Sequence, residues 1–173
     1  IRKEYIMCGI VGYVGYDEAA GKIIEGLKKL EYRGYDSSGI AVLSDKGIEL
    51  NKCKGEIENL ENMIAGRVPS GTCGIGHTRW ATHGAPSDVN SHPHMDQSGR
   101  VALVHNGIVE NYVELKEALI KEHGIKFKSE TDSEVIAQLV GVKYNSNGGD
   151  LEKAVYDATK EMRGTYAIGV IAE

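Results

Sequence analysis

The sequence predicts an α+β layered fold, and three observations carry that expectation. Strand-like runs and helical patterns do not alternate regularly along the chain. Residues 40–43 and 48–53 are strand-like and are joined by Asp45-Lys46-Gly47, which reads as a β-hairpin. Three helical patterns then succeed one another, at 111–123, 131–144 and 150–162, with no strand-like run between them. A doubly wound parallel sheet needs a strand after each helix, so this order disfavours it.

The elements follow from local patterning. Residues 8–14 alternate Gly with β-formers, a strand whose glycines allow close approach of backbone or ligand. Residues 18–32 are helical, with Ile23, Leu27 and Leu30 at i, i+4 and i+7, and Gly34 just beyond as a C-terminal cap. Ile57, Leu60 and Ile64 mark a short helix, and residues 74–77 a short strand. Residues 78–97 lack apolar periodicity and are rich in His, Pro, Asn, Ser and Gly, which predicts a long loop, functional or disordered. Residues 100–105 form a strand ending in Asn106-Gly107. Tyr112, Leu115 and Leu119 share a helical face. Thr131 and Glu134 fit a capping box, with Asp132 in the first helical turn, where the helix dipole favours a carboxylate. Asp150 caps the last helix, and residues 165–173 form an apolar strand. That strand stops without a turn signal, which predicts that the domain is incomplete at this end.

Composition narrows the class. With 173 residues and 41% hydrophobic residues, the chain is long enough for one domain with a core, burying roughly 70% of its unfolded surface. The net charge is −5 and no Lys/Arg block is present, which argues against nucleic acid or an anionic membrane surface as partner. No apolar run is long enough to span a bilayer, and no signal peptide is visible. Cys8, Cys53 and Cys73 are the three cysteines, without a C-x-x-C pair, which suits a reducing, cytoplasmic setting.

Four constellations could carry chemistry. The first is Met7-Cys8. Removal of everything through Met7 would give Cys8 both a thiol and a free α-amine, and an amine titrating at about 7.7–8.0 can act as general base. Taken singly, Cys8 is equally a small apolar residue opening a buried strand. The second is Gly76-His77-Thr78-Arg79-Trp80-Ala81-Thr82-His83-Gly84 with Asn90-Ser91-His92-Pro93-His94. Arg79 is a forked donor suited to a carboxylate, or else the partner of a structural acid. Trp80 is the only Trp and falls in a loop-like region, either functional or filling a gap. The third is Asn106-Gly107, a turn or an oxyanion hole made of an amide side chain and a backbone N–H. The fourth is 129–134, a helix cap in which Asp132 could also anchor an ammonium group.

The histidines allow two further readings. His77, His83, His92, His94 and His105 cluster in sequence, but their spacing fits no H-E-x-x-H or C-x-x-C metal pattern. A Cys-His dyad, with Cys8 or Cys73 as nucleophile and His83 as base, is the stronger rival.

Taken together, these stretches resemble one family. The Cys8-Gly9-Ile10-Val11-Gly12 opening, Glu31-Tyr32-Arg33-Gly34-Tyr35-Asp36-Ser37, the run from Gly76 to Gly84 with Pro86-Ser87 and Asn90 to His94, Val104 to Gly107, and Ser129 to Glu134 are similar to the glutaminase domain of the glutamine–fructose-6-phosphate aminotransferases, a class II glutamine amidotransferase. The resemblance runs from Met7 to the end of the chain. It implies a four-layered αββα N-terminal nucleophile hydrolase sandwich over residues 8–173, with residues 1–7 an extension ahead of the nucleophile.

The resemblance also implies roles. Cys8 would be the nucleophile and its own α-amine the base. Arg79 would hold the glutamine α-carboxylate and Asp132 its α-ammonium. Asn106 and Gly107 would form the oxyanion hole, and Trp80, Thr82 and His83 would lie on the loop closing over L-glutamine. His92 and Arg33 match family positions and would support the fold. No cofactor is implied. The partner would be the sugar-isomerising domain of a homodimeric full-length synthase, which this chain lacks. Alternatives are the glutaminase domain of another amidotransferase, a glutamine-binding module without turnover, and a metallohydrolase. With residues 1–7 attached, an amide nitrogen stands where the base should be, which predicts an inactive precursor.

Overall fold

The structure is a computed structural model that describes residues 8–34, 36–80 and 85–173. The extension at 1–7, Thr82 and His83 lie outside the described residues. Among the described residues, seven strands form two antiparallel sheets. The first has the order β1 (Gly9–Val14), β4 (Cys73–Arg79), β2 (Ser37–Ser44), β3 (Gly47–Lys54). The second has the order β5 (His94–Met95), β6 (Val101–Val109), β7 (Gly164–Ala172).

Apolar stripes stack the layers. Helices α1 (Ala19–Lys28) and α2 (Ile57–Ile64) bury Ile23, Leu27, Leu60 and Ile64 against the outer face of the first sheet, around Ile40 and Val42. Helices α3 (Tyr112–His123), α4 (Asp132–Ser146) and α5 (Leu151–Glu161) cover the second sheet, around Val101 and Leu103. Ala41, Ile75, Ala102, Val104 and Ile171 fill the space between the sheets. Each helical layer therefore buries one apolar face and each sheet buries two, and the order α, β, β, α results.

Side-chain alternation along the strands places the polar residues. On β4, Ile75 belongs to the core between the sheets, so His77 and Arg79 point the same way. On β6, Val104 belongs to that core, so Asn106 does as well. Ile10 of β1 packs there too, and Cys8 precedes it by two. The apolar core between the sheets thus becomes polar at one end, where Cys8, His77, Arg79 and Asn106 meet. On the opposite face of β6, His105 follows Val101 and Leu103 towards α4.

Several local expectations are corrected. Asn106-Gly107 is not at a strand end, because β6 pairs with β7 through Val109↔Gly164. The polar stretch is not one long loop: β4 continues to Arg79 and β5 adds His94–Met95. Its polar side chains are largely buried, and Asn90, Ser91, His92 and His94 are each at most 5% exposed. Gly34 does not cap α1; Lys29 does, and Gly34 follows a 3-10 turn at Glu31–Arg33 in extended conformation. Only half the capping box forms. Thr131 accepts from Glu134 N at 3.2 Å, while the Glu134 carboxylate turns to Lys128 N, Ser129 N and Ser129 Oγ at 2.6–3.1 Å. The predicted cap of α5 is present, with Asp150 Oδ1 accepting from Lys153 N at 2.9 Å.

Candidate active site

The polar end of the inter-sheet core opens into a cavity of 560 Å³. It is lined by Cys8, Arg79, Trp80, Asn106, Gly107 and Asp132, together with His77, His92, His105 and the β7 residues Thr165, Tyr166 and Ala167. Six of the eight predicted site residues thus converge, although they are spread over 125 positions from Cys8 to Asp132. The other two, Thr82 and His83, fall outside the described residues.

Cys8 is half-buried at the start of the edge strand β1. Its Sγ accepts the backbone N–H of Trp80 at 3.2 Å and lies 3.5 Å from the Trp80 carbonyl. Burial pushes the thiol above its ordinary value. The Trp80 backbone contact and the positive charge of Arg79 oppose that rise, and Asp36 adds to it. A thiol held protonated in this way needs a base before it can attack.

Arg79 closes β4 and is 4% exposed. Its backbone oxygen accepts from Asp36 N at 3.2 Å. Asp132 stands on the first turn of α4, and its Oδ2 accepts from Val109 N at 3.0 Å. That bond ties the helix start to the end of β6. Guanidinium and carboxylate therefore come from different sheets or layers and face one cavity, a pair suited to a zwitterion.

Asn106 bridges the two sheets. Its Nδ2 donates to the Cys8 carbonyl at 3.1 Å, and its Oδ1 lies 2.8 Å from His77 Nε2. Gly107 has φ +128°, and a Cβ there would stand 2.1 Å from the Thr165 carbonyl oxygen. Only glycine fits this bend, which carries the backbone past β7 at the cavity wall.

The histidines form a buried scaffold. His77 and His92 stack at 4.2 Å between centroids, and His92 meets His94 edge-on at 4.9 Å. Burial lowers His77 to about 4 and holds His92 and His94 well below the usual imidazole value. His92 Nδ1 lies 3.2 Å from His105 N, His94 Nε2 lies 3.0 Å from Thr131 Oγ1, and His105 Nδ1 lies 2.8 Å from Ser133 Oγ. Among the described residues, no group of three or more His, Cys, Asp or Glu is arranged to hold a metal. Cys73 sits at the other end of β4 from Arg79, about 20 Å along the strand at 3.3 Å per residue, and does not line the cavity. The structure therefore places Cys73 away from Cys8, Arg79 and Asn106.

The site also contains residues that no motif announced. Thr165, Tyr166 and Ala167 line the wall only because β7 pairs with β6 in the register Gly107↔Tyr166. Strand register of this kind leaves no local signal. Asp36 does sit in a conspicuous polar run, and its effect on Cys8 requires the β2–β4 pairing to bring it there.

Known proteins resemble this chain in sequence and in fold. The sequence profile of the glutamine amidotransferase domain matches residues 63–172. A glutamine–fructose-6-phosphate aminotransferase [isomerizing] from Clostridium perfringens is 59% identical over 165 residues, covering 95% of this chain and 26% of its own length. The corresponding aminotransferase of Thermus thermophilus is 52% identical over 167 residues, covering 96% of this chain and 27% of its own. Among solved structures, a glutamine phosphoribosylpyrophosphate amidotransferase from B. subtilis superposes with TM-score 0.78 at 28% identity, over 94% of this chain and 35% of the other. The chain belongs to the glutamine amidotransferase domain family. Its αββα architecture is that of the N-terminal nucleophile hydrolases. It spans about a quarter of the length of the curated relatives it matches.

Proposed function

We propose that this chain hydrolyses the side-chain amide of L-glutamine to glutamate and ammonia through a thioester on Cys8. The observation that carries the reading is the convergence of Cys8, Arg79, Asp132 and Asn106-Gly107 on one cavity. Free glutamine carries an α-carboxylate, an α-ammonium and an amide. Arg79 takes the first, Asp132 the second, and Cys8 faces the third. Trp80 borders the bound substrate.

The chemistry follows from the thiol. The Cys8 α-amine, free once residues 1–7 are removed, accepts the thiol proton. The thiolate adds to the amide carbon. Negative charge moves to the amide oxygen, where Asn106 Nδ2 and Gly107 N–H stabilise it, each contributing about 3–4 kcal/mol to the barrier reduction. The intermediate collapses with the C–N bond breaking, and the leaving nitrogen takes the proton back as ammonia. Water, deprotonated by the same amine, then hydrolyses the thioester to glutamate and restores the thiol.

The names of these relatives support a further step. In a longer protein, the ammonia would serve fructose 6-phosphate in a sugar-isomerising partner domain within a cytoplasmic homodimer. Residues 8–173 form the glutaminase unit of that assembly in this reading, and residues 1–7 a removable extension. Among the described residues no helix is long and apolar enough to cross a membrane.

An ammonia assay with glutamine, run with and without a chelator on protein that starts at Cys8, tests the function. Turnover unaffected by the chelator and abolished in Cys8→Ala is expected. Saturable glutamine binding without ammonia would instead favour a binding module, and loss on chelation a metallohydrolase.

A further inference from the structure

Asn106 can serve an oxyanion only if its amide nitrogen, and not its oxygen, faces the substrate. A carboxamide is nearly symmetric in shape, so something must choose between the two orientations. The geometry points to His77 as the positioning residue that makes this choice, by donating from Nε2 to Asn106 Oδ1. The inference rests on the glutaminase reading above.

The donor directions can be worked out in order. The Cys8 carbonyl can only accept, so the Asn106 atom 3.1 Å from it is the NH₂ group. The atom facing His77 at 2.8 Å is then the amide oxygen, which can also only accept. His77 Nε2 must therefore carry the proton. Burial at 1% exposure, with the ring stacked on His92, keeps the imidazole neutral. A neutral ring has one N–H, and it is committed to Asn106. The NH₂ group, tied to Cys8 by one hydrogen, retains its second for the developing charge. His77 is thus the fixed end of a chain running His77, Asn106, Cys8 carbonyl across both sheets. Buried at 1% exposure, it acts through Asn106.

The prediction separates transition-state from ground-state binding. His77→Phe keeps a stacking ring and removes the donor. We expect kcat for glutamine to fall roughly 10- to 100-fold, less than or similar to the loss of a whole oxyanion donor. KM should move less than about threefold, since Arg79 and Asp132 are untouched. A glutamate γ-aldehyde, which adds to Cys8 and forms an oxyanion, should lose affinity by the same factor as kcat/KM, while glutamate itself keeps its affinity. His77→Gln, which restores an N–H donor, should recover most of kcat. If His77→Phe does not fold, ¹⁵N NMR of the wild-type imidazole decides: a bare Nδ1 and protonated Nε2 are expected. A protonated Nδ1 with bare Nε2, or unchanged kcat in folded His77→Phe alongside active wild type, would overturn the inference alone. Wild-type protein starting at Cys8 that fails to release ammonia would overturn the glutaminase reading and this inference with it.

Discussion

The backbone N–H of Trp80 donates to the Cys8 sulfur at 3.2 Å, although 72 residues separate them in sequence. The contact follows from the pairing of Gly9 with Thr78 between β1 and β4. It sets Cys8 directly beside Arg79. Cys8 and Arg79 are therefore fixed by the same pair of strands.

Arg79→Lys should mainly raise the glutamine KM, by about tenfold or more, with a smaller change in kcat. An ammonium cannot reproduce a forked, two-point contact with a carboxylate. Steady-state ammonia release against glutamine concentration measures both constants. An unchanged KM would remove Arg79 from the binding site.

Asp132→Asn keeps an oxygen for Val109 N, so the joint between α4 and β6 should survive. It removes the charge that is proposed to face the α-ammonium. Glutamine KM should rise, and discrimination against a substrate lacking the α-amino group should shrink by about 1–3 kcal/mol. Competition between glutamine and its deaminated analogue provides the measurement.

The sequence made much of this site legible, for a physical reason. Cys8, Arg79, Asn106, Gly107 and Asp132 all lie in short runs whose residue types are costly or odd unless they serve a ligand. The strand alternation that aims His77, Arg79 and Asn106 into one space could also be read from Ile75 and Val104. Pairing register could not, and so Thr165 to Ala167 went unseen. The histidine-rich stretch looked like a loop because its polar residues are paired internally instead of solvated. Burial of that kind is invisible in composition.

Acid should destabilise the fold through those histidines. His77 is lowered to about 4 from an ordinary 6.5, and His92, His94 and His105 are lowered too. Between these values the unfolded chain binds protons that the folded chain does not. Stability is therefore present above about pH 6.5 and is lost as pH falls towards 4, with each buried histidine contributing a slope of up to about 1.4 kcal/mol per pH unit. Melting temperatures from pH 7.5 to 5 should drop steadily. A flat profile would mean that the histidines are solvated.

Glu134→Gln should destabilise by about 2 kcal/mol. The carboxylate accepts from Ser129 N at 2.6 Å and Ser129 Oγ at 2.7 Å, and an amide NH₂ would face these donors. Denaturant unfolding gives the value. Activity at low temperature should persist, because Glu134 is absent from the cavity wall.

The central claim is that Cys8, with its own amine free, carries the glutamyl group. Acid quench during steady-state turnover, followed by peptide mass spectrometry, tests it most directly on protein whose intact mass confirms Cys8 as the first residue. A γ-glutamyl adduct on the Cys8 peptide, absent from Cys8→Ala, is the predicted result. Normal turnover by protein that still carries residues 1–7, or by Cys8→Ala, would contradict it.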